Sequence, residues 1–203
     1  MGALLVFMAC GSTPTGLVDA TERGDLGAVQ RLLDDGADVN ERDARGRTAV
    51  TAAALGDRVD IARVLIDAGA DVDLQDSDRN NPLLVSGETG SVAMLREVLR
   101  AEPNLGATNR YGGIAIIPAS DRGHVELVRA LLQTDIDVNH VNILGWTALL
   151  EAVILGDGGK AHTEIVRMLL AGGADRSIAD REGVTALEHA RERGYTEMVR
   201  LLE

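Results

Sequence analysis

Residues 36–39 read GADV, and residues 69–72, which start 33 positions further along the chain, read GADV again. Two related tetrapeptides follow, DIDV at residues 135–138 and GADR at residues 173–176. Their steps of 66 and 38 residues equal two periods of 33, and one period with five extra residues. A fixed period of this length indicates a repeat protein, in which each unit packs only against its neighbours.

Two further markers recur in the same phase. The first is a Gly-x-Thr-Ala frame, which appears as GRTAV, GWTAL and GVTAL and, without its threonine, as GGIAI, starting at Gly46, Gly145, Gly183 and Gly112. The second is an amphipathic run, RGHVELVRALL at residues 122–132, with related runs at residues 193–202 and 23–33. Together the markers predict six units, with the boundaries 14–43, 44–76, 77–109, 110–142, 143–180 and 181–203.

Each unit is expected to contain two short helices. In the run at residues 122–132, five apolar side chains recur at helical spacing on one stripe, whereas Glu126 and Arg129 fall on the other face. Three threonines stand where a helix N-cap is wanted, and three glycines where a left-handed helix end is wanted; they are Thr48, Thr147 and Thr185, and Gly36, Gly69 and Gly173. The pattern therefore predicts antiparallel helix pairs with projecting turns, which must stack to bury their apolar faces.

These markers resemble the ankyrin repeat, which has a period of 33 and the signature T-P-L-H-x-A. The resemblance covers roughly residues 14–203. It implies an all-α fold: an ankyrin-type α-solenoid of about six stacked helix-turn-helix repeats with projecting β-turn or hairpin loops. The tetrapeptide Thr-Pro-Leu-His is nowhere intact, and the third unit departs most. It reads EPNL at residues 102–105 in place of the helix-ending Gly-Ala, and Arg79 replaces the turn glycine.

The composition favours a stack of small aliphatic layers over a compact aromatic core. Hydrophobic residues make up 45% of the 203 residues but aromatic residues only 2%, so the core must be built from leucine, valine, isoleucine and alanine. The formal net charge of −12 argues against nucleic acids and anionic membrane surfaces as partners. Cys10 is the single cysteine, which excludes an internal disulfide.

Residues 1–13 resemble the end of a bacterial lipoprotein signal followed by a tether. The apolar stretch ALLVFMA at residues 3–9 leads to Cys10 and then to GSTPTG. The stretch is short, no basic residue precedes it, and Phe7 stands where such signals usually carry leucine, so an ordinary segment leading into the first helix remains the alternative. The resemblance predicts lipidation of Cys10, membrane contact through that lipid alone, and a periplasmic or cell-envelope location. Without a signal, the expected location is cytoplasmic.

The histidines and the glycine-rich piece do not predict an enzyme. His124 and His162 occupy the Gly-His position of the ankyrin frame, where the resemblance implies that the imidazole binds backbone and braces neighbouring units. The piece GDGGK at residues 156–160 lacks the spacing and the preceding strand of a phosphate-binding loop, and residues 157–161 are interpreted as a five-residue insertion between two helices. Metal-ligand spacings and nucleophile-elbow frames are also missing. We therefore predict no catalytic residue, no cofactor and no metal.

The fifth unit, in contrast, predicts an interaction surface. By resemblance, five positions of each ankyrin unit, beside the turn and near the end of the first helix, meet a partner. In the fifth unit all five are apolar, namely Ile143, Leu144, Trp146, Ile154 and Leu155. The flanking units are charged or mixed at these positions. Arg110 and Tyr111, from the unit before, belong to residue types that are enriched among binding hot spots.

This surface predicts a non-catalytic protein-protein interaction scaffold, expected to be a monomer, that binds a partner protein through its concave face, centred on the fifth repeat. Two alternative interpretations of the surface itself stay open. Tryptophan is common after the turn glycine of ankyrin repeats, so Trp146 fits an ordinary structural role, and an insertion folded over the surface would cover it. The resemblance also leaves two other roles: an exported bacterial ankyrin protein supporting catalase and oxidative-stress defence, or a secreted effector or immunity protein.

Overall fold

A computed structural model describes residues 16–203, which form twelve helices in six consecutive pairs. The first helices of the pairs are α1 Leu17–Glu22, α3 Ala49–Leu55, α5 Pro82–Thr89, α7 Ile116–Asp121, α9 Ala148–Ile154 and α11 Ala186–Glu192. The second helices are α2 Leu26–Asp34, α4 Val59–Asp67, α6 Val92–Leu99, α8 Val125–Leu131, α10 Lys160–Ala171 and α12 Thr196–Leu202.

The helices pack in two layers. The six first helices contact one another in chain order, the six second helices do the same, and each pair packs across the layers. Both layers bury leucine, isoleucine, valine, alanine and methionine in one cluster that extends from Leu17 to Leu202. Residues 16–203 contain no strand, and the isolated bridge between Ala179 and Thr185 is their one β-type pairing. The predicted all-α solenoid is therefore confirmed.

The predicted signal segment, residues 1–13, lies outside the described residues, and so does Cys10. Its lipidation and the envelope location stay predictions. Within residues 16–203, no helix combines the length and the apolar character needed to cross a membrane.

Capping side chains begin the first helices, as the Gly-x-Thr-Ala frame predicts. Thr48, Thr147 and Thr185 each accept a hydrogen bond from the backbone N–H three residues further on, at 3.4, 3.2 and 3.4 Å. Asn81 does the same in the third unit, at 2.9 Å. Each cap satisfies an N–H group that a helix leaves without an internal partner. The fourth unit has Ile114 in this position, and α7 accordingly starts one position later in the repeat than its equivalents.

Left-handed backbone ends three of the second helices at the predicted glycines. Gly36, Gly69 and Gly173 have φ angles of 86°, 89° and 92°. Each donates its N–H to the carbonyl three residues earlier, which satisfies an acceptor in the last helical turn. The predicted role of these glycines as helix ends is confirmed.

The third unit adopts the same backbone without the glycines. Arg79 in its turn has a φ of 62°, and Glu102 at the end of its second helix has a φ of 50°. Asp57, between α3 and α4, also has a φ of 50°. A residue with a side chain costs roughly 1–2 kcal/mol in this conformation. Packing against the neighbouring units therefore imposes the repeat geometry where the local sequence does not favour it.

Two histidines connect neighbouring units, which confirms the structural role predicted for them. His124 Nε2–H donates to the backbone carbonyl of Glu88, at 3.1 Å, and His162 Nε2–H donates to that of Asp121, at 2.8 Å. Both carbonyls lie near the ends of first helices, where acceptors lack helical partners. The imidazoles therefore satisfy helix ends and join units at the same time.

The insertion predicted at residues 157–161 divides between a loop and a helix. Its first three residues connect α9 to α10, whereas Lys160 and Ala161 already belong to α10. Within the loop, Asp157 Oδ1 lies 2.9 Å from His162 Nδ1. The prediction that all five residues lie between the helices is therefore wrong for the last two, because the N-terminus of α10 extends into the insertion.

Candidate functional site

A groove of about 220 Å³ opens on the face formed by the turns and the first helices of units three to five. We call it the central groove. Its larger apolar side chains come from the turns and from α7 and α9: Tyr111, Ile117, Pro118, Leu144 and Leu155. Its polar side chains come from α5, α7, α9 and the turn regions: Glu88, Asn109, Asp121, Arg122, Asn142 and Glu151.

Three of the large apolar side chains of the groove face solvent. Tyr111, Leu144 and Leu155 are 50%, 44% and 49% exposed. They were predicted as partner-binding residues from positions in two different units, and the structure brings them to one groove. None of the insertion residues lines this groove. The structure therefore does not support the alternative in which the insertion folds over the surface.

The remaining predicted residues of the fifth unit lie beside the groove rather than in its lining. Ile143 is 54% exposed, and its N–H donates to the Tyr111 carbonyl at 3.0 Å, which ties the two turns together. Trp146 and Ile154 are half-buried and pack against the core. Trp146 therefore both packs under this surface and forms part of it.

Arg110 lies at the edge of the groove and stacks on its aromatic wall. Its guanidinium carbon is 4.9 Å from the centroid of the Tyr111 ring, within the range of a cation–π contact. The same guanidinium is 3.2 Å from a carboxylate oxygen of Asp78, in the preceding turn. The ion pair with Asp78 therefore helps to hold Arg110 over the Tyr111 ring.

Two asparagines build the turns that carry the exposed residues. Asn142 Oδ1 accepts the N–H groups of Leu144 and Trp146, at 2.9 and 3.0 Å. Asn109 Oδ1 accepts the N–H groups of Tyr111 and Gly113 in the same way, at 2.9 and 3.0 Å. Side-chain acceptors of this kind stabilise a turn because they replace the missing backbone partners.

Glu151 forms the buried part of the groove. It is 7% exposed, and its Oε1 accepts a hydrogen bond from Asn142 Nδ2 at 2.8 Å. Burial, and then the nearby charge of Asp121, raise the pKa of Glu151 to about 7, although the hydrogen bond from Asn142 opposes this. Near neutral pH the groove therefore contains a carboxyl group that is easily protonated or ionised.

The other histidines do not form a second site with one another. His140 Nε2–H donates to the carbonyl of Gly112, at 2.7 Å. His189, two units further along, has its Nε2 2.6 Å from Asp180 Oδ2. Among residues 16–203, no group of three or more His, Cys, Asp and Glu residues is placed to hold a metal ion.

Three overlapping stretches, residues 17–109, 88–180 and 116–203, match the family model described as ankyrin repeats (3 copies). The chain belongs to the ankyrin repeat family. Ankyrin repeats generally form a non-catalytic fold that binds other proteins through an extended concave surface.

Solved structures of other ankyrin repeat proteins resemble this one over nearly its whole length. An ankyrin repeat domain from Acinetobacter baumannii AYE is 45% identical, with a TM-score of 0.89, and the match covers 92% of this chain and 95% of that one. The ankyrin repeat protein EF0377 is 38% identical, with a TM-score of 0.89 and coverage of 95% and 98%. The ankyrin repeat protein YahD of Escherichia coli (strain K12) is 52% identical over 58 residues, which span only 29% of this chain and 29% of YahD.

Glu151 is the groove residue that the sequence pattern did not single out. It occupies the x position of the ankyrin signature T-P-L-H-x-A, where units two to four have Ala52, Val85 and Pro118. The same position holds Asp19 in the first unit and His189 in the sixth, so the residue type at this position did not by itself indicate a buried carboxyl group. The pattern placed Glu151 on a helix but did not show how deeply it is buried, which depends on the packing of neighbouring units.

Proposed function

We propose that this chain is a non-catalytic scaffold that binds another protein through the concave face of the solenoid, with the central groove in the middle of the contact. The convergence of Tyr111, Leu144 and Leu155 on one groove carries the proposal. Exposed apolar side chains are ordinary when they are scattered, but a group of them marks a surface that association covers. The polar residues around the groove complete the usual build of such a surface.

Leu55 shows the contrast with an isolated apolar residue on the same face. It is 46% exposed at the end of α3. The depression beside it is lined by charged side chains, among them Arg45, Arg47 and Asp76. A single exposed leucine in charged surroundings needs no partner, whereas three large apolar side chains around one groove favour association.

The charge of the groove favours a protein partner over a nucleic acid. Three carboxyl groups, those of Glu88, Asp121 and Glu151, line it beside the single guanidinium of Arg122. The whole chain carries a formal net charge of −12. Because binding to nucleic acids draws its affinity from lysine and arginine contacts to phosphates, this face is unsuited to them.

The substitution Leu144→Asp tests the proposal, because Leu144 is exposed and its loss leaves the core intact. Tagged full-length chain and variant capture partners from a lysate of the native cell, and mass spectrometry identifies and quantifies them. We expect Leu144→Asp to reduce capture of the specific partner at least about tenfold, as loss of a contact at the centre of an interface does.

Leu55→Asp is the matched control, since Leu55 and Leu144 are 46% and 44% exposed on the same face. It should capture the partner as the unchanged chain does. Full capture by Leu144→Asp, or an equal loss in both variants, would show that the central groove is not the contact. Trp146→Ala is a less direct test, because Trp146 is half-buried and its removal also affects packing.

A further inference from the structure

We infer that the central groove holds a lysine or arginine side chain of the partner protein, with its charged end at Glu151 and its apolar stem against Leu144 and Leu155. The inference rests on the proposed function, because it names the chemistry of the partner residue that the same groove accommodates. It is argued from the hydrogen bonds of Glu151, from the charges around it and from the shape of the groove.

The carboxyl group of Glu151 is buried but incompletely bonded. Its Oε1 accepts from Asn142 Nδ2, whereas its Oε2 makes no hydrogen bond to any of residues 16–203. The side chain is 7% exposed and lines the groove. A buried carboxylate is strongly disfavoured unless an opposite charge or enough hydrogen-bond donors compensate it. A positively charged donor in the groove would supply both.

The orientation of the Asn142 amide restricts what the groove accepts. Its Oδ1 is held by the N–H groups of Leu144 and Trp146, so its Nδ2 must point toward Glu151. This arrangement fixes which amide atom is oxygen and which is nitrogen. The ionised carboxylate beside it is an acceptor in every direction. While Glu151 is ionised, the partner group that completes the site must therefore be a hydrogen-bond donor.

The surrounding charges favour a cation as that donor. Glu88 and Asp121 line the same groove, and Arg122 is the single basic side chain in its lining. Asp121, and not Arg122, is the charged side chain that shifts the pKa of Glu151. A lysine or arginine reduces the repulsion between Asp121 and Glu151, whereas an acidic partner residue increases it.

The apolar walls fit the rest of a long basic side chain. Lysine and arginine place their methylene stems along apolar surface while the charged end reaches a polar group. Leu144 and Leu155 offer such a surface, and Tyr111 adds an aromatic face. The volume of 220 Å³ is sufficient, since a protein cavity of about 150 Å³ admits a benzene molecule.

The test uses two probes of equal length, N-acetyl-arginine methylamide and N-acetyl-citrulline methylamide, with the full chain. Citrulline retains the length and much of the hydrogen bonding of arginine but carries no charge. Proton–nitrogen correlation NMR at pH 8 follows the side-chain amide of Asn142 and the backbone amide of Leu144. We expect the arginine probe to shift both signals saturably, with an affinity about tenfold higher than that of the citrulline probe.

Two variants assign the preference to one carboxyl group. Glu151→Gln has nearly the same shape without the charge, so it should remove the preference for arginine. Glu97→Gln neutralises the other buried glutamate, which lies in the layer of second helices. This variant should retain the preference for the arginine probe. Equal affinity of the unchanged chain for both probes, or an undiminished preference in Glu151→Gln, overturns the inference. The Leu144→Asp capture experiment is independent of these results, so the proposed function can stand where this inference fails.

A pH series adds a second readout. Burial raises the pKa of Glu151 to about 7, so the preference for arginine should fall roughly tenfold between pH 8 and pH 5.5 as the carboxylate is protonated. Other ionisable side chains surround α9: Glu88 on α5, Asp121 and Arg122 at the end of α7, Tyr111 in the turn, His162 on α10, His189 on α11 and Arg193 after α11.

Histidine side chains change charge between pH 5 and pH 8, so the pH series is repeated with Glu151→Gln. Loss of the pH dependence in this variant supports the inference. A pH dependence that persists in Glu151→Gln assigns the effect to another group and counts against it.

Discussion

Glu97 in α6 and Glu151 in α9 are the two buried glutamates of residues 16–203, at 9% and 7% exposure. Arg63 and Arg100 each donate to one carboxylate oxygen of Glu97, at 2.7 and 2.6 Å. Glu151 instead receives one hydrogen bond, from the neutral amide of Asn142. The hydrogen bond from Arg63, followed by that from Arg100, lowers the pKa of Glu97, whereas burial raises the pKa of Glu151 to about 7.

The difference lies in the neighbours and not in the side chain. In the layer of second helices, the chain supplies both cations that Glu97 needs, and Glu97 joins α4 to α6. In the central groove, Glu151 is buried at the expense of stability whenever it is ionised. Strongly shifted carboxyl groups of the second kind are concentrated at functional sites, which is consistent with the proposed use of the groove.

The largest effect is expected for Glu151→Gln. Between the ordinary value of 4.5 and the raised pKa of about 7, folded Glu151 keeps a proton that the unfolded chain has released. Stability therefore falls as the pH rises through this window, and the loss is complete above about 7. Glu151→Gln should raise the free energy of unfolding by about 2 kcal/mol at pH 8 and change it little at pH 4.5. Urea unfolding at both values measures this, and an equal effect at both would contradict it.

The substitution Glu97→Gln should have a smaller effect of the opposite sign. The two guanidinium groups are about half exposed, so solvent screens them, and we expect a loss of about 1 kcal/mol at pH 7. The pKa of Glu97 is lower in the folded chain than in the unfolded chain. Its contribution to stability is therefore present above the pKa of the unfolded state and disappears as the pH falls through the pKa of the folded state. Thermal unfolding of the unchanged chain and of Glu97→Gln at several pH values tests the sign of the stability difference. The difference should also shrink in about 1 M salt, and a difference that grows in acid would rule out the explanation.

The smallest effect is expected for Leu155→Arg, which gives Glu151 a cation of its own. Leu155 follows Glu151 by four residues at the end of α9 and is 49% exposed. A glutamate four residues before a basic residue stabilises a helix by about 0.2–0.5 kcal/mol. The pKa of Glu151 should fall below 7, as measured by carbon NMR of its carboxyl group. Leu155→Gln, which is polar but neutral, is the control and should leave the pKa near 7; equal values in the two variants would contradict the prediction.

The sequence allowed the repeat architecture to be predicted because its determinants are local. The caps at Thr48, Thr147 and Thr185 depend on contacts over three residues, and the helix ends at Gly36 and Gly69 depend on the backbone freedom of a single residue. A fixed period then carried each local rule from unit to unit. The third unit follows the same geometry with Arg79 and Glu102 in strained positions, which shows that neighbouring units can override the local preference.

The groove was only partly predictable, because burial and pairing depend on the stacked units. The repeat frame identified the face on which Leu144, Leu155 and Tyr111 lie, but not that Trp146 and Ile154 are half-buried. The pairing of Glu151 with Asn142 joins residues nine positions apart, and Asp121 of the preceding unit adds its charge. The positions of these residues in the repeat do not reveal how deeply Glu151 is buried or that Asp121 lies close enough to shift its pKa.

Trp146 is the single tryptophan of the chain, and two hydrogen bonds connect its backbone to the carboxyl group of Glu151 through Asn142. Its indole is half-buried against the core of the fifth unit. The tryptophan emission of the protein therefore comes from one position, beside the groove. Comparison of its emission with the circular dichroism of all twelve described helices distinguishes opening of this unit from unfolding of the whole solenoid, without any added label.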